Sequence, residues 1–139
     1  MSLYVLDTDM VTLYRRGRSR VGQNVASHPA TELAVTLLTV EEQLSGWYRL
    51  LRKVKQPSQL ARAYQELADA VQFFALWQIL PLSVSAIARY DNLQSLKLQV
   101  RKMGLRIAAV TLEHNAVLVT RNLRDFQRIP NLVVEEWAV

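Results

Sequence analysis

"AVLVTRN", residues 116–122, is a short apolar run closed by polar side chains. An uninterrupted run of that length suits a strand covered on both faces, the kind from which parallel sheets are built. Directly before it, "GLRIAAVTLEHN" (104–115) reads as a helix, with Asn115 placed to end it. A helix leading into a buried strand is the repeating step of a parallel sheet with helices on its faces.

Working outward from that strand, the same alternation recurs. Leu3–Leu6 is an apolar run that stops at Asp7, and residues 8–15 can follow as a helix with Thr8 or Asp9 as N-cap. "RRGRSRVGQN" (15–24), with two glycines, reads as an exposed basic loop. "LAVTLL" (33–38) is a second buried strand. In "TVEEQLSGWYRLLRKVKQ" (39–56), Leu44, Trp47, Tyr48, Leu51 and Val54 fall on one helical face. Pro57 stops that helix and Ser58 can cap the next, where Leu60, Tyr64, Leu67, Ala68, Val71 and Phe74 again recur at helical spacing. The two helices form a hairpin over about 41–80. "ILPL" (79–82) reads as a short strand, Ser83 or Ser85 opens another helix, and "LVVEEW" (132–137) is a final, more exposed strand. The expected fold is α/β: a parallel sheet of four to five strands flanked by helices.

The bulk composition agrees with one domain over 1–139. Half of the 139 residues are apolar, enough for a real core. No apolar run approaches the roughly 20 residues a membrane span needs, and no signal peptide is evident, so a cytoplasmic location is expected. The chain has no Cys, which excludes disulfides and Cys-based zinc sites. The net charge is +5. Arg15, Arg16, Arg18 and Arg20 form one basic cluster, Arg49, Arg52, Lys53 and Lys55 a second, Lys97, Arg101, Lys102 and Arg106 a third, and Arg121, Arg124 and Arg128 a fourth. Such clusters suit a polyanion, although solvated faces have the same appearance.

The acids lie where a parallel sheet places its sites, at the carboxyl ends of strands. Asp7 follows the first strand, Glu42 lies one turn beyond the second, and Asn122 and Asp125 follow "AVLVT". Carboxylates gathered from three segments repel, and a hard divalent cation is their usual stabiliser; Mg²⁺ or Mn²⁺ fits an all-oxygen set. Such an ion can activate water against a phosphodiester. Each acid also has a plainer reading. Asp7 and Asp9 can cap the first helix, Glu42 completes a capping box with Thr39, and Asp125 can pair with Arg121 or Arg128. His28 and His114 have no paired acid and read as structural, and Trp47, Tyr48, Tyr64, Phe73, Phe74 and Trp77 have the spacing of helix packing.

Three stretches, "LDTDMVTLYRRG" (6–17), "TVEEQLSG" (39–46) and "LRIAAVTLEHNAVLVTRNLRDFQRIPNLVVEEW" (105–137), together resemble the PIN-domain ribonucleases, in particular the VapC-like toxins of bacterial toxin–antitoxin pairs. The resemblance implies a Rossmann-like parallel sheet, Mg²⁺- or Mn²⁺-dependent endoribonuclease activity, a cognate antitoxin that blocks the acidic pocket, and a homodimer. By position, Asp7 matches the family's first metal-binding aspartate and Glu42 its T-x-x-E glutamate. Thr8 and Asp9 stand where the family usually has Thr and Asn. Thr39 opens the T-x-x-E stretch, Thr120 and Asn122 match small polar residues that shape the pocket, and Asp125 matches the acid that closes it in some members. Asp7, Glu42 and Asp125 are thus the expected metal ligands and catalytic acids, and Arg15, Arg16, Arg101, Arg106 and Arg121 the expected RNA contacts. The main departure from the pattern is two changes in one loop. Similar members read roughly I-G-x-x-D-L-R-I-A-A before the penultimate helix, whereas this chain reads "VRKMGLRIAA" (100–109). Gly104 replaces the third metal-binding aspartate and Arg101 the usual glycine, which implies weakened metal binding and leaves room for a descendant that binds RNA or an antitoxin without cutting. A basic α/β interaction module, with its acids acting only as caps and ion-pair partners, is a third reading.

Overall fold

Three apolar stretches, Tyr4–Leu6 (β1), Leu33–Thr36 (β2) and Val117–Val119 (β4), form the centre of a five-stranded sheet completed by Gln78–Leu80 (β3) and Val133–Glu135 (β5). The structure is a computed structural model that describes residues 2–139. The strand order is β3-β2-β1-β4-β5 and every pairing is parallel, as expected from the alternation of strands and helices. Side chains alternate across a strand, and the core divides accordingly. Val5, Ala34 and Leu118 enter one buried layer, while Leu6, Val35 and Val119 enter the layer on the opposite face.

The first layer is covered by α5 (Val84–Ser95) and α6 (Lys102–Glu113), which pack closely on each other. The second is covered by α1 (Thr8–Arg15), α2 (Ser19–Ala26) and the end of α4 (Pro57–Ala75). α3 (Leu37–Lys53) runs against α4 as the expected hairpin, although its two helices span 37–53 and 57–75 rather than the whole of 41–80. α7 (Leu123–Phe126) is a single turn between β4 and β5.

Several local expectations are corrected. The basic stretch 15–24 is an exposed turn only over 16–18: α2 begins at Ser19 and buries Val21 and Val25, an i, i+4 pair that two glycines and a run of arginines obscured. The second strand stops at Thr36, so Leu37 and Leu38 belong to α3. Of the three candidates for the cap of α1, Thr8, Asp9 and Asp7, it is Asp7 that serves, its Oδ1 accepting from the Met10 N–H at 2.9 Å. The cap of α3 is Thr36 rather than Thr39: Thr36 Oγ1 accepts from the Thr39 N–H at 3.2 Å. Gln56 rather than Ser58 occupies the cap position of α4, with Pro57 at its first turn. Ser83 does cap α5, and Asn115 takes a left-handed φ of 50° just past α6. Tyr48 and Tyr64 are exposed, not packed.

Candidate active site

The strand order turns back on itself at β1 and β4: the chain builds β1, β2 and β3 towards one edge, then β4 and β5 towards the other. Crevices at the carboxyl ends of strands form at such switch points. Asp7 leaves β1 there, its backbone N–H still donating to Val119 O at 3.0 Å, so the acid is fixed by the sheet before it caps α1. Its side chain is 7 % exposed. Burial raises its pKa from 3.8 to about 6, with Asp9 and Glu42 pushing the same way, while hydrogen bonds from Thr120 and the Met10 N–H pull against the rise.

Glu42 enters from the second turn of α3. With Thr36 as the cap, Glu42 is not the acid of a capping box, and its carboxylate is used elsewhere. The Thr8 hydroxyl donates to Glu42 Oε1 at 2.5 Å, a charge-assisted geometry. Because that hydroxyl has one proton, its 3.1 Å contact with Thr39 Oγ1 is a bond accepted from Thr39. The buried Thr39 therefore orients Thr8, which orients Glu42.

A small pocket of about 100 Å³ is lined by Asp7, Thr8, Asp9, Glu42, Asn122 and Asp125 on one side and by Val100, Arg101, Met103, Gly104, Ile107 and Phe126 on the other. The acids from three chain segments thus border one cavity. Thr39 and Thr120 lie behind it, fully buried. Asp125 is tethered: Asn122 Nδ2 donates to its Oδ2 at 2.9 Å, and Arg128 stands 3.5 Å from its Oδ1. Among the described residues, no three His, Cys, Asp or Glu form a set able to hold a metal ion as they stand.

The arginines divide by role. Arg101 is in the pocket wall, at the cap position of α6. Arg15 and Arg16 border a larger neighbouring cavity that shares Glu42 with the acidic pocket. Arg121 is exposed beside Asn122. Arg106 is turned inward, its guanidinium carbon 5.1 Å from the Tyr90 ring centroid, where it ties α6 to α5. His28 stacks on Trp137 with ring centroids 5.0 Å apart and planes 3° apart, a packing role, and His114 is exposed at the end of α6.

The residue that sequence reasoning missed is Phe126. A Cβ at Gly104 would lie 3.3 Å from the Phe126 ring and 3.3 Å from Val100 Cγ1. The wall that an acid at 104 would occupy is apolar and filled. "RDF" contains that phenylalanine, but no spacing rule says which helix an aromatic after the fourth strand will cover.

No family model matches the chain. It is 28 % identical over 141 aligned residues to Ribonuclease VapC1 of Haemophilus influenzae strain R2866, with 98 % of each chain covered. Its fold is similar to that of DNA-bound VapBC from Salmonella typhimurium, at a TM-score of 0.79 and 20 % identity over 99 % of both chains. It is likewise similar to VapBC-1 from nontypeable Haemophilus influenzae, at a TM-score of 0.73 and 22 % identity over 99 % of both chains. Along nearly its whole length the chain is similar in sequence to Ribonuclease VapC1, and its sheet and helices share the fold of the VapBC structures.

Proposed function

We propose that the chain is a VapC-like endoribonuclease, the toxin of a toxin–antitoxin pair, with its reaction centred on the pocket of Asp7, Glu42 and Asp125. The observation that carries this reading is the meeting of acids from the ends of β1, β2 and β4 in one cavity. Asp7 and Glu42 repel across it, and burial raises the Asp7 pKa to about 6. That donor chemistry fits a hard divalent cation. Asp7 and Glu42 would hold it, with water and a released Asp125 completing the shell, and Mg²⁺ or Mn²⁺ would supply an acidified water and charge stabilisation at the phosphate. The chain's own part is positioning: Thr8 and Thr39 fix Glu42, Asn122 fixes Asp125, and Arg101 offers a cation to the substrate's phosphate. The similarity to Ribonuclease VapC1 supports RNA as the substrate. The VapBC structures support an antitoxin partner.

Gly104 and Arg101, both in the pocket wall, favour a second reading, a PIN-fold protein that binds RNA or an antitoxin without cutting. Titrating Mn²⁺ into the purified chain and following labelled RNA distinguishes the two. Cleavage that requires metal and is lost in Asp7→Asn supports the nuclease; metal-independent binding with no cleavage at any metal concentration supports the second reading.

A further inference from the structure

Beside the acidic pocket lies a cavity of about 580 Å³ between α1, α3 and α4, and Glu42 lines both. Two features of this cavity bear on what it can admit. Gly46 sits inside α3, where glycine is the poorest helix former after proline, yet a Cβ built there meets nothing within 4 Å. Packing does not require that glycine; its consequence is room in the cavity wall. Trp47, the next residue, is only half-buried and borders the same space. The base of the cavity is fixed, because Gln43 Nε2 donates to Thr12 Oγ1 at 3.0 Å and joins α3 to α1. Its mouth carries Arg15 and Arg16, and Arg15 is immobilised with its guanidinium carbon 5.2 Å from the Phe73 ring centroid.

We propose that this cavity is a nucleobase subsite for single-stranded RNA, with Trp47 as the stacking surface, Gly46 giving the base access, and Arg15 and Arg16 meeting the flanking phosphate. The inference rests on the ribonuclease reading above and adds where the strand lies after it leaves the acids. Unpaired bases are recognised by aromatic faces and arginine planes next to a basic path. The shared Glu42 wall makes this cavity the next stop for a strand whose phosphate lies in the acidic pocket, with Arg15 and Arg16 placed for the flanking phosphate and Glu66 of α4 lining the same space.

The test uses the full chain carrying Asp7→Asn, so that nothing is cut, in EDTA, with a mixed-sequence single-stranded oligoribonucleotide and tryptophan emission as the readout. RNA should quench emission, and the quenching should disappear in Trp47→Phe while affinity stays close to the parent's. Trp47→Ala should weaken binding by roughly 5- to 150-fold, the range for one base stacked on one ring. Gly46→Leu, at an open helical position, should raise the melting temperature and weaken RNA binding by a similar factor. Equal affinity in Trp47→Ala and Gly46→Leu would overturn the subsite while leaving the acidic-pocket reading intact. RNA binding that leaves Trp47 emission unchanged would also overturn it and would assign the cavity to a protein segment. A folded Asp7→Asn chain that binds no RNA would overturn the subsite and the ribonuclease reading together.

Discussion

Asp7 serves two purposes that conflict energetically. As the cap of α1 it needs only an acceptor for the Met10 N–H, which a neutral side chain supplies equally well. As a buried carboxylate near Asp9 and Glu42, its pKa stands at about 6 against 3.8. A carboxyl with a folded pKa above its unfolded one binds its proton more tightly in the folded chain. The folded state therefore bears no cost below the lower value, a growing cost as pH rises to about 6, and the full cost above it. At neutral pH the cost is on the order of 2–3 kcal/mol. In EDTA, Asp7→Asn should keep the cap and unfold at higher urea at pH 7, with the gain shrinking towards pH 4, and it should cleave no RNA. Equal stability of the two chains at pH 7 would mean that Asp7 is not a strained charge. Gly104 presents the reverse case. It is the third residue of α6, where a new carboxylate gains from the helix dipole, but its Cβ must move Phe126 or Val100 by a few tenths of an ångström. The two effects, each about 1 kcal/mol, nearly cancel. Gly104→Asp should therefore fold with nearly parental stability and bind Mn²⁺ at least about tenfold tighter by calorimetry. A large loss of stability would instead show that the Phe126 wall cannot give way. The glycine at 104 was legible in the sequence, but the ring beside it was not, because that contact joins residues 22 apart in sequence through α7.

At the scale of elements, the strands and most helices were readable because their signals are periodic and extend over several residues. The caps of α3 and α4 were not, since each depends on one residue's register, although Ser83 of α5 was. Thr36 and Thr39 both precede helical sequence, and a T-x-x-E box fits the second as well as any local rule can ask. What decides between them is non-local: β2 pairs with β3 as far as Thr36 opposite Leu80, and the chain turns into α3 at once. That single shift of register removes Glu42 from the cap and leaves it to Thr8 and the pocket. α2 was hidden for a related reason, since its buried stripe is only Val21 and Val25 among arginines and glycines. If α2 is a packed helix, Val21→Ala, which removes two fully buried methyl groups, should cost roughly 2 kcal/mol in urea unfolding, and Arg20→Ala under about 0.5 kcal/mol. Equal, small effects at the two positions would restore the exposed-loop reading.

Across the whole molecule, the charge is arranged as an acidic pocket within a basic chain. The net charge of +5 would steer any polyanion towards it, but only arginines at the rim can shape the approach to the acids. Arg101 borders the pocket, Arg15 and Arg16 border the adjoining cavity, and Arg121 is exposed where β4 ends. Arg106, although close in sequence to Arg101, is spent on Tyr90. Composition counts all five alike, and the cavities they border, or do not border, separate them. For single-stranded RNA the slope of log affinity against log salt is about −0.7 per phosphate neutralised, so about four rim contacts predict a slope near −3 and a roughly 50-fold loss from about 50 to 200 mM salt. Measured in the cleavage-dead Asp7→Asn chain, Arg101→Ala should flatten that slope by about 0.7 without changing the melting temperature. Arg106→Ala should leave the slope unchanged and lower the melting temperature, because it loosens α6 from α5. The opposite pattern, with the slope sensitive to Arg106 and indifferent to Arg101, would mean that RNA approaches over the α5–α6 face and that the acidic pocket is not its destination.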